Sequence, residues 1–120
     1  MTPDVLNTLI ERDLPAARNG DTVAYGRLVA ATQRMVASVA MAITRDLHTS
    51  EDIAQDTFLT AWQRIGQLGS AGSFLPWLRQ ITRNLAHDHL RGRRNRMLDG
   101  EAADLAIQHA ADPDGCPLQQ

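Results

Sequence analysis

Lysine is absent from this 120-residue chain, so all 12 of its basic side chains are arginine. Arginine suits phosphate recognition, although a GC-rich genome alone also produces such a bias, and the bias carries little weight. The single cysteine, Cys116, excludes an internal disulfide and fits a reducing cytoplasm, where it reads as an incidental surface thiol. Aromatic residues make up 4% of the chain, which leaves few rings for base stacking once a core is filled. No apolar run approaches the length of a membrane span, and Met1-Thr2-Pro3-Asp4 does not open a secretion signal. The expectation is therefore a cytoplasmic protein without membrane contact. No Gly-rich phosphate loop, nucleophile elbow or matched carboxylate pair occurs, so no catalytic residue is nominated. The histidines form no metal set: His87 and His89 point to different faces of one helix, and His48 and His109 are isolated. No cofactor is expected.

What is present is a strong division of charge. Residues 1–73 carry six arginines against eight acids, residues 74–97 six arginines against Asp88 alone, and residues 98–120 five acids and no arginine. A net charge of −2 thus conceals a sharply basic segment, which points to a polyanionic partner.

Every patterned segment reads as helix, and no run shows the alternation of a strand. The expectation is an all-α, compact bundle of three to four helices over residues 1–97, with an acidic, flexible tail or linker over 98–120. A short helix is expected from about Asp4 to Arg12, ended by Leu14-Pro15. Asp21 is placed to cap a long helix from Thr22 to about Leu47. Its apolar stripe is Tyr25, Leu28, Val29, Val36, Val39, Ala40, Ile43 and Leu47. Thr49 with Asp52 approximates a capping box for a third helix running to about Leu68. Gly66–Ser73 holds three glycines and reads as a flexible loop, after which Ser73 caps a helix from Phe74 to about Arg94. Pro76 falls in its first turn, where proline is tolerated. A transient helix near Ala102–Ala110 is expected in the tail.

Two helix faces carry chemical information. On the last helix Phe74, Trp77, Leu78, Ile81 and Leu85 share one side, and Arg79, Arg83, His87, Arg91 and Arg94 the other. A ridge of guanidinium groups suits a phosphate backbone; a solvated face more often mixes its charges. On the third helix Ala54, Phe58, Ala61, Trp62 and Ile65 form the buried arc. Asp52, Gln55, Asp56, Leu59 and Gln63 lie opposite. A leucine ringed by acids and glutamines describes a small protein-docking patch, and equally an ordinary exposed leucine.

The run Asp52-Ile53-Ala54-Gln55-Asp56-Thr57-Phe58-Leu59-Thr60-Ala61-Trp62 is similar to a segment of bacterial RNA polymerase sigma factors of the extracytoplasmic-function class, written D-L-V-Q-E-V-F-L-R-A-W. After the glycine loop, Phe74-Leu75-Pro76-Trp77-Leu78-Arg79-Gln80-Ile81-Thr82-Arg83-Asn84-Leu85-Ala86-His87-Asp88-His89-Leu90-Arg91 resembles that family's F-x-x-W-L-x-x-I-A-x-N-x-A-x-D-x-x-R. The resemblance covers about residues 5–97 and concerns the region-two domain. It implies that Asp52, Gln55, Asp56, Leu59 and Gln63 dock on a coiled coil in the largest subunit of core RNA polymerase. It implies that the loop at 67–73, with Gln67, Ser70 and Ser73, takes a flipped base of the minus-ten promoter element. Arg79, Arg83, Asn84, His87 and Arg91 would hold the non-template strand. Flipping costs a few kcal/mol of unstacking, which contacts to the strand must offset.

Two departures from the family pattern bear on regulation. The family's second domain, a helix-turn-helix for the minus-thirty-five element, is missing from this chain, which reads as a fragment ending in the linker. Where relatives commonly carry an acidic run, this chain has Thr49-Ser50-Glu51-Asp52. Thr49 is expected to act as a helix cap, and a phosphate there would restore negative charge at a helix N-terminus. Control by an anti-sigma protein or a Ser/Thr kinase is therefore open. Two rivals stand beside the sigma reading: a helix-turn-helix regulator of duplex DNA, and a helical adaptor that binds only proteins.

Overall fold

The computed structural model describes residues 2–99 of the chain, and these are all-α. Four helices run in order: α1 Pro3–Arg18, α2 Thr22–Thr44, α3 Leu47–Arg64 and α4 Phe74–Asp99. Two 3-10 turns, Ile65–Gln67 and Ala71–Ser73, lie between α3 and α4. The expected tail helix at 102–110, His109 and Cys116 lie outside the described residues. No helix among those described is long and apolar enough to cross a membrane.

Helix α1 extends well past the expected stop. Thr2 accepts a hydrogen bond from the Val5 N–H, and Pro3 and Asp4 suit the first turn. The helix then passes through Pro15 to Arg18. An interior proline costs about 3 kcal/mol of helix propensity. Leu14 and Ala17 are each 1% exposed, and burying a leucine side chain returns about 2 kcal/mol. Tertiary packing on either side of Pro15 therefore overrides the local breaker. Gly20, at φ +99°, ends the helix in the left-handed conformation, with its N–H bonded to the Ala17 carbonyl.

Asp21 caps α2 as expected, accepting from the N–H groups of Val23 and Ala24 at 3.0 and 3.1 Å. The helix stops at Thr44, earlier than expected, because Arg45 takes a left-handed conformation at φ 58°. The buried line of α2 is Ala24, Leu28, Thr32, Val36, Ala40 and Thr44. Tyr25, Val29, Val39 and Ile43 flank it, half-buried, and Leu47 begins the next helix exposed. Small residues and threonines occupy the centre because α2 contacts α1, α3 and α4 at once. Thr32 and Thr44 each donate to the carbonyl four residues earlier, which satisfies the buried hydroxyl inside its own helix.

Helix α3 begins at Leu47, so Thr49 does not cap it. Asp46 holds the cap position and makes no side-chain bond to the helix N–H groups. Thr49 lies inside the first turn, nearly buried, and its hydroxyl donates to Asp46 Oδ2 at 2.6 Å. Glu51 and Asp52 accordingly fall beyond the first turn. The inward line of α3 is Ser50, Ile53, Thr57 and Ala61, rotated from the expected arc, and the helix ends at Arg64 instead of Leu68. Helix α4 runs five residues further than expected, to Asp99, and buries Phe74, Leu78, Ile81, Thr82 and Ala86. One core cluster joins α1, α2, α3, the turns and α4 through Ile10, Leu14, Leu28, Val36, Ala61, Leu68, Phe74 and Leu78.

Candidate protein and nucleic-acid interfaces

On α3 the residues of the expected docking set, Asp52, Gln55, Asp56, Leu59 and Gln63, are all exposed. Leu59 leaves 61% of its surface in solvent. The carboxyl of Asp56 is raised in pKa by partial desolvation and then by the Asp52 charge beside it. That pair concentrates negative charge next to an apolar side chain, which suits a partner presenting a cation beside an apolar ridge.

Beside this patch runs a feature missing from the sequence-based picture. An open groove of about 880 Å³ lies between α2 and α3, lined by Tyr25, Val29, Ala37, Phe58, Leu59 and Trp62, with Arg34 and Glu51 also on its wall. Tyr25 and Trp62 pack at 4.8 Å between ring centroids, tilted by 47°. The Tyr25 hydroxyl donates to the Phe58 carbonyl, pinning α2 to α3, and burial pushes its pKa up to about 12. Both rings fall on stripes that sequence periodicity assigns to the core. The available signal was the width of the apolar arc on α2: Tyr25, Val29 and Ala37 form a second line beside the buried one.

The basic ridge of α4 is exposed at Arg83, His87, Arg91 and Arg94, while Arg79 is half-buried. The ridge is not free of acid, because Arg91 pairs with Asp88 one turn earlier. Asn84 also stands exposed, its side-chain carbonyl accepting from Gln80 at 2.9 Å. A second basic line, His89, Arg93 and Arg96, turns toward the start of α3. Burial, then Arg93 and Arg96, hold the His89 pKa below its usual value, and Asp46 and Asp52 act against that shift. The hydrogen bond from Thr49 is the main cause that keeps the Asp46 carboxyl low; the nearby His48 backbone N–H, too poorly placed for a full cap bond, and then the Arg93 charge add to it, against desolvation.

Gln67, Ser70 and Ser73 are exposed in the connection between α3 and α4. This connection is built of two short turns, closed by Leu68 N–H to the Ile65 carbonyl and Ser73 N–H to the Ser70 carbonyl, each at 3.1 Å. The Ser70 and Ser73 hydroxyls lie 3.2 Å apart. Its glycines have no positive φ, so this segment is a structured connection rather than a chain held only by glycine freedom. Loop and ridge are continuous at Phe74, and the patch with Leu59 lies on a different helix. Among the described residues, no cluster of three His, Cys, Asp or Glu could hold a metal ion.

The sequence has relatives among known proteins. The family model described as Sigma-70 region 2 matches residues 28–96. The chain is 58% identical over 120 residues, all of its length, to the probable RNA polymerase sigma factor RfaY of Xanthomonas campestris, covering 30% of that protein. It is 30% identical over 106 residues, 87% of its length, to the RNA polymerase sigma-H factor of Pseudomonas aeruginosa, covering 53% of that protein. A third relative, the sigma factor SigW of Bacillus subtilis, is 26% identical over 82% of this chain, which covers 53% of SigW. The chain therefore spans about half or less of the length of these curated relatives. No solved structure matches it.

Proposed function

Starting from a chain that belongs to the Sigma-70 region 2 family, we propose that it acts in transcription initiation by joining core RNA polymerase to the minus-ten element of a promoter. The observation that carries this reading is the exposed Leu59, set among Asp52, Gln55, Asp56 and Gln63 at the edge of an apolar groove. An apolar anchor with a polar rim is the arrangement that a stable protein interface needs. The occupant is the coiled coil of the polymerase's largest subunit, with one of its helices along Leu59 and a cation facing Asp52 and Asp56.

DNA capture falls to the other face. Arg79, Arg83, His87, Arg91 and Asn84 hold the backbone of the non-template strand. Gln67, Ser70 and Ser73 supply polar groups for a base turned out of the stack. Promoter melting follows as capture of the strand once it opens, and the chain performs no catalysis of its own.

Regulation by phosphate at Thr49 meets opposing geometry. The hydroxyl is nearly buried and already bonded to the Asp46 carboxylate, so a phosphate would be repelled until the first turn of α3 opens. An anti-sigma protein remains compatible, since it would compete for the Leu59 face. The test is binding of the chain to the isolated coiled coil of the largest subunit. Leu59→Ala should weaken it by about 5- to 30-fold, the value of a central apolar anchor worth 1–2 kcal/mol. Equal binding by parent and mutant would remove Leu59 from the interface, and rescue by Thr49→Glu of a silent parent would revive the phosphate switch.

A further inference from the structure

The connection between α3 and α4 is held from one side by α1. Leu68 is 7% exposed and lies in the same core cluster as Ile10, Leu14 and Ala17 of α1, and Ala71 packs against that cluster. Helix α1 contacts both 3-10 turns as well as α2. The hydrogen bonds of the connection each close a single short turn and do not set its position as a whole. Nor does backbone geometry: a Cβ built at Gly66 or Gly69 meets nothing within 4 Å. Its placement therefore depends on α1 as well as on α3 and α4, which it joins.

Beside the apolar packing of Ile10, Leu14 and Ala17, a buried charge ties α1 to α2. Asp13 is 2% exposed, and its two carboxylate oxygens accept from Arg27 of α2, Nε at 2.9 Å and Nη2 at 3.1 Å. Arg12 adds a second two-pronged contact, both bonds at 3.1 Å. A guanidinium fork on a carboxylate restricts direction as well as distance. A chain of contacts thus leads from α2 through Arg27 and Asp13 to α1, and through the core cluster shared by Leu14, Ala17 and Leu68 to the turns.

We propose that Asp13 and Arg27 are positioning residues for base capture, fixing α1 so that the turns at 67–73 keep the shape that discriminates the flipped base. The inference rests on the base-capture reading given above. Loosening the Asp13–Arg27 fork lets α1 shift over Leu68 and widens the choice of base. Backbone-phosphate contacts on α4 and the Leu59 face are left as they were.

The test uses the whole chain and a library of random single-stranded DNA decamers, sequenced after capture. The parent should show one position with a strong base preference. In Asp13→Asn and Arg27→Gln that preference should fall about tenfold, the span a well-formed base pocket commands, and Arg27→Lys should recover part of it. Binding to a strand of abasic sites and to the polymerase coiled coil should change less than about twofold, because α1 contributes no residue to either of those faces. Leu68→Ala, which removes the anchor itself, should reproduce the loss of preference. Amide exchange at residues 68–73 should quicken in Asp13→Asn while α2 to α4 stay protected. An unchanged preference in Asp13→Asn and Arg27→Gln would overturn the proposal. Uniformly faster exchange with parallel loss of every binding activity would overturn it also, leaving Asp13 a residue of stability alone. A parent without any base preference would instead refute the base-capture reading on which it rests.

Discussion

The basic ridge of α4 makes a quantitative prediction about salt. Each phosphate neutralised on a single strand contributes about −0.7 to the slope of log K against log salt. Arg79, Arg83, Arg91 and Arg94 offer four guanidinium groups, and Arg91 is partly neutralised by its pair with Asp88. Between three and four effective contacts give a slope of about −2 to −3, so affinity falls about 20- to 50-fold from 50 to 200 mM salt. Arg83→Ala should flatten the slope by about 0.7. Arg91→Ala should flatten it less, because Asp88 already offsets part of that charge. Asp88→Asn should move the slope the other way, toward the four-contact value. The assay is fluorescence anisotropy of a labelled single strand across a salt series. A slope unchanged by Arg83→Ala would mean that the ridge does not carry the phosphates, and the face assigned to DNA would be wrong.

Three further predictions concern the fold. The two arginines hold the Asp13 carboxyl well below the ordinary carboxylate range, so its stabilisation is present above the unfolded value near pH 4 and lost as pH falls below it. The stability difference between the parent and Asp13→Asn should therefore be constant above about pH 5, at about 2 kcal/mol, and shrink below about pH 4. A difference that stays constant down to pH 2 in urea melts would contradict it. Arg45 holds a left-handed conformation at φ 58°, so Arg45→Gly should stabilise by up to about 1 kcal/mol, read as a higher melting temperature. Leu59→Ala should leave the melting temperature within about 2 °C, because that side chain packs on little of its own protein.

The parts legible in the sequence are those decided within a few residues or by helical period. Asp21 caps α2 through atoms two and three residues away, and the arginine ridge follows from a repeat that any α-helix imposes. The missed parts depend on distant partners. Pro15 reads as a breaker because the burial of Leu14 and Ala17 around it is not visible locally. Thr49 and Asp46 are both good cap residues three positions apart, and the left-handed turn at Arg45 decided for Asp46. Asp13 looks like a surface acid until Arg27, fourteen residues on, is brought against it. The groove escaped for another reason. Periodicity tells which side of a helix is apolar, but not whether a neighbour covers its full width, and where α2 meets α3 the side chains of Tyr25, Val29 and Trp62 stay only partly covered.

Capture of a promoter strand after it has opened is tested most directly by relative affinity for single and double strands. A promoter minus-ten segment is offered to the chain as the non-template single strand and as the matched duplex, at the same salt and with the polymerase coiled coil present. The prediction is tighter binding to the single strand, weakened by Arg83→Ala. Tighter binding to the duplex would contradict it in favour of a helix-turn-helix mode, and no binding to either at moderate salt would leave α4 facing an acidic protein instead.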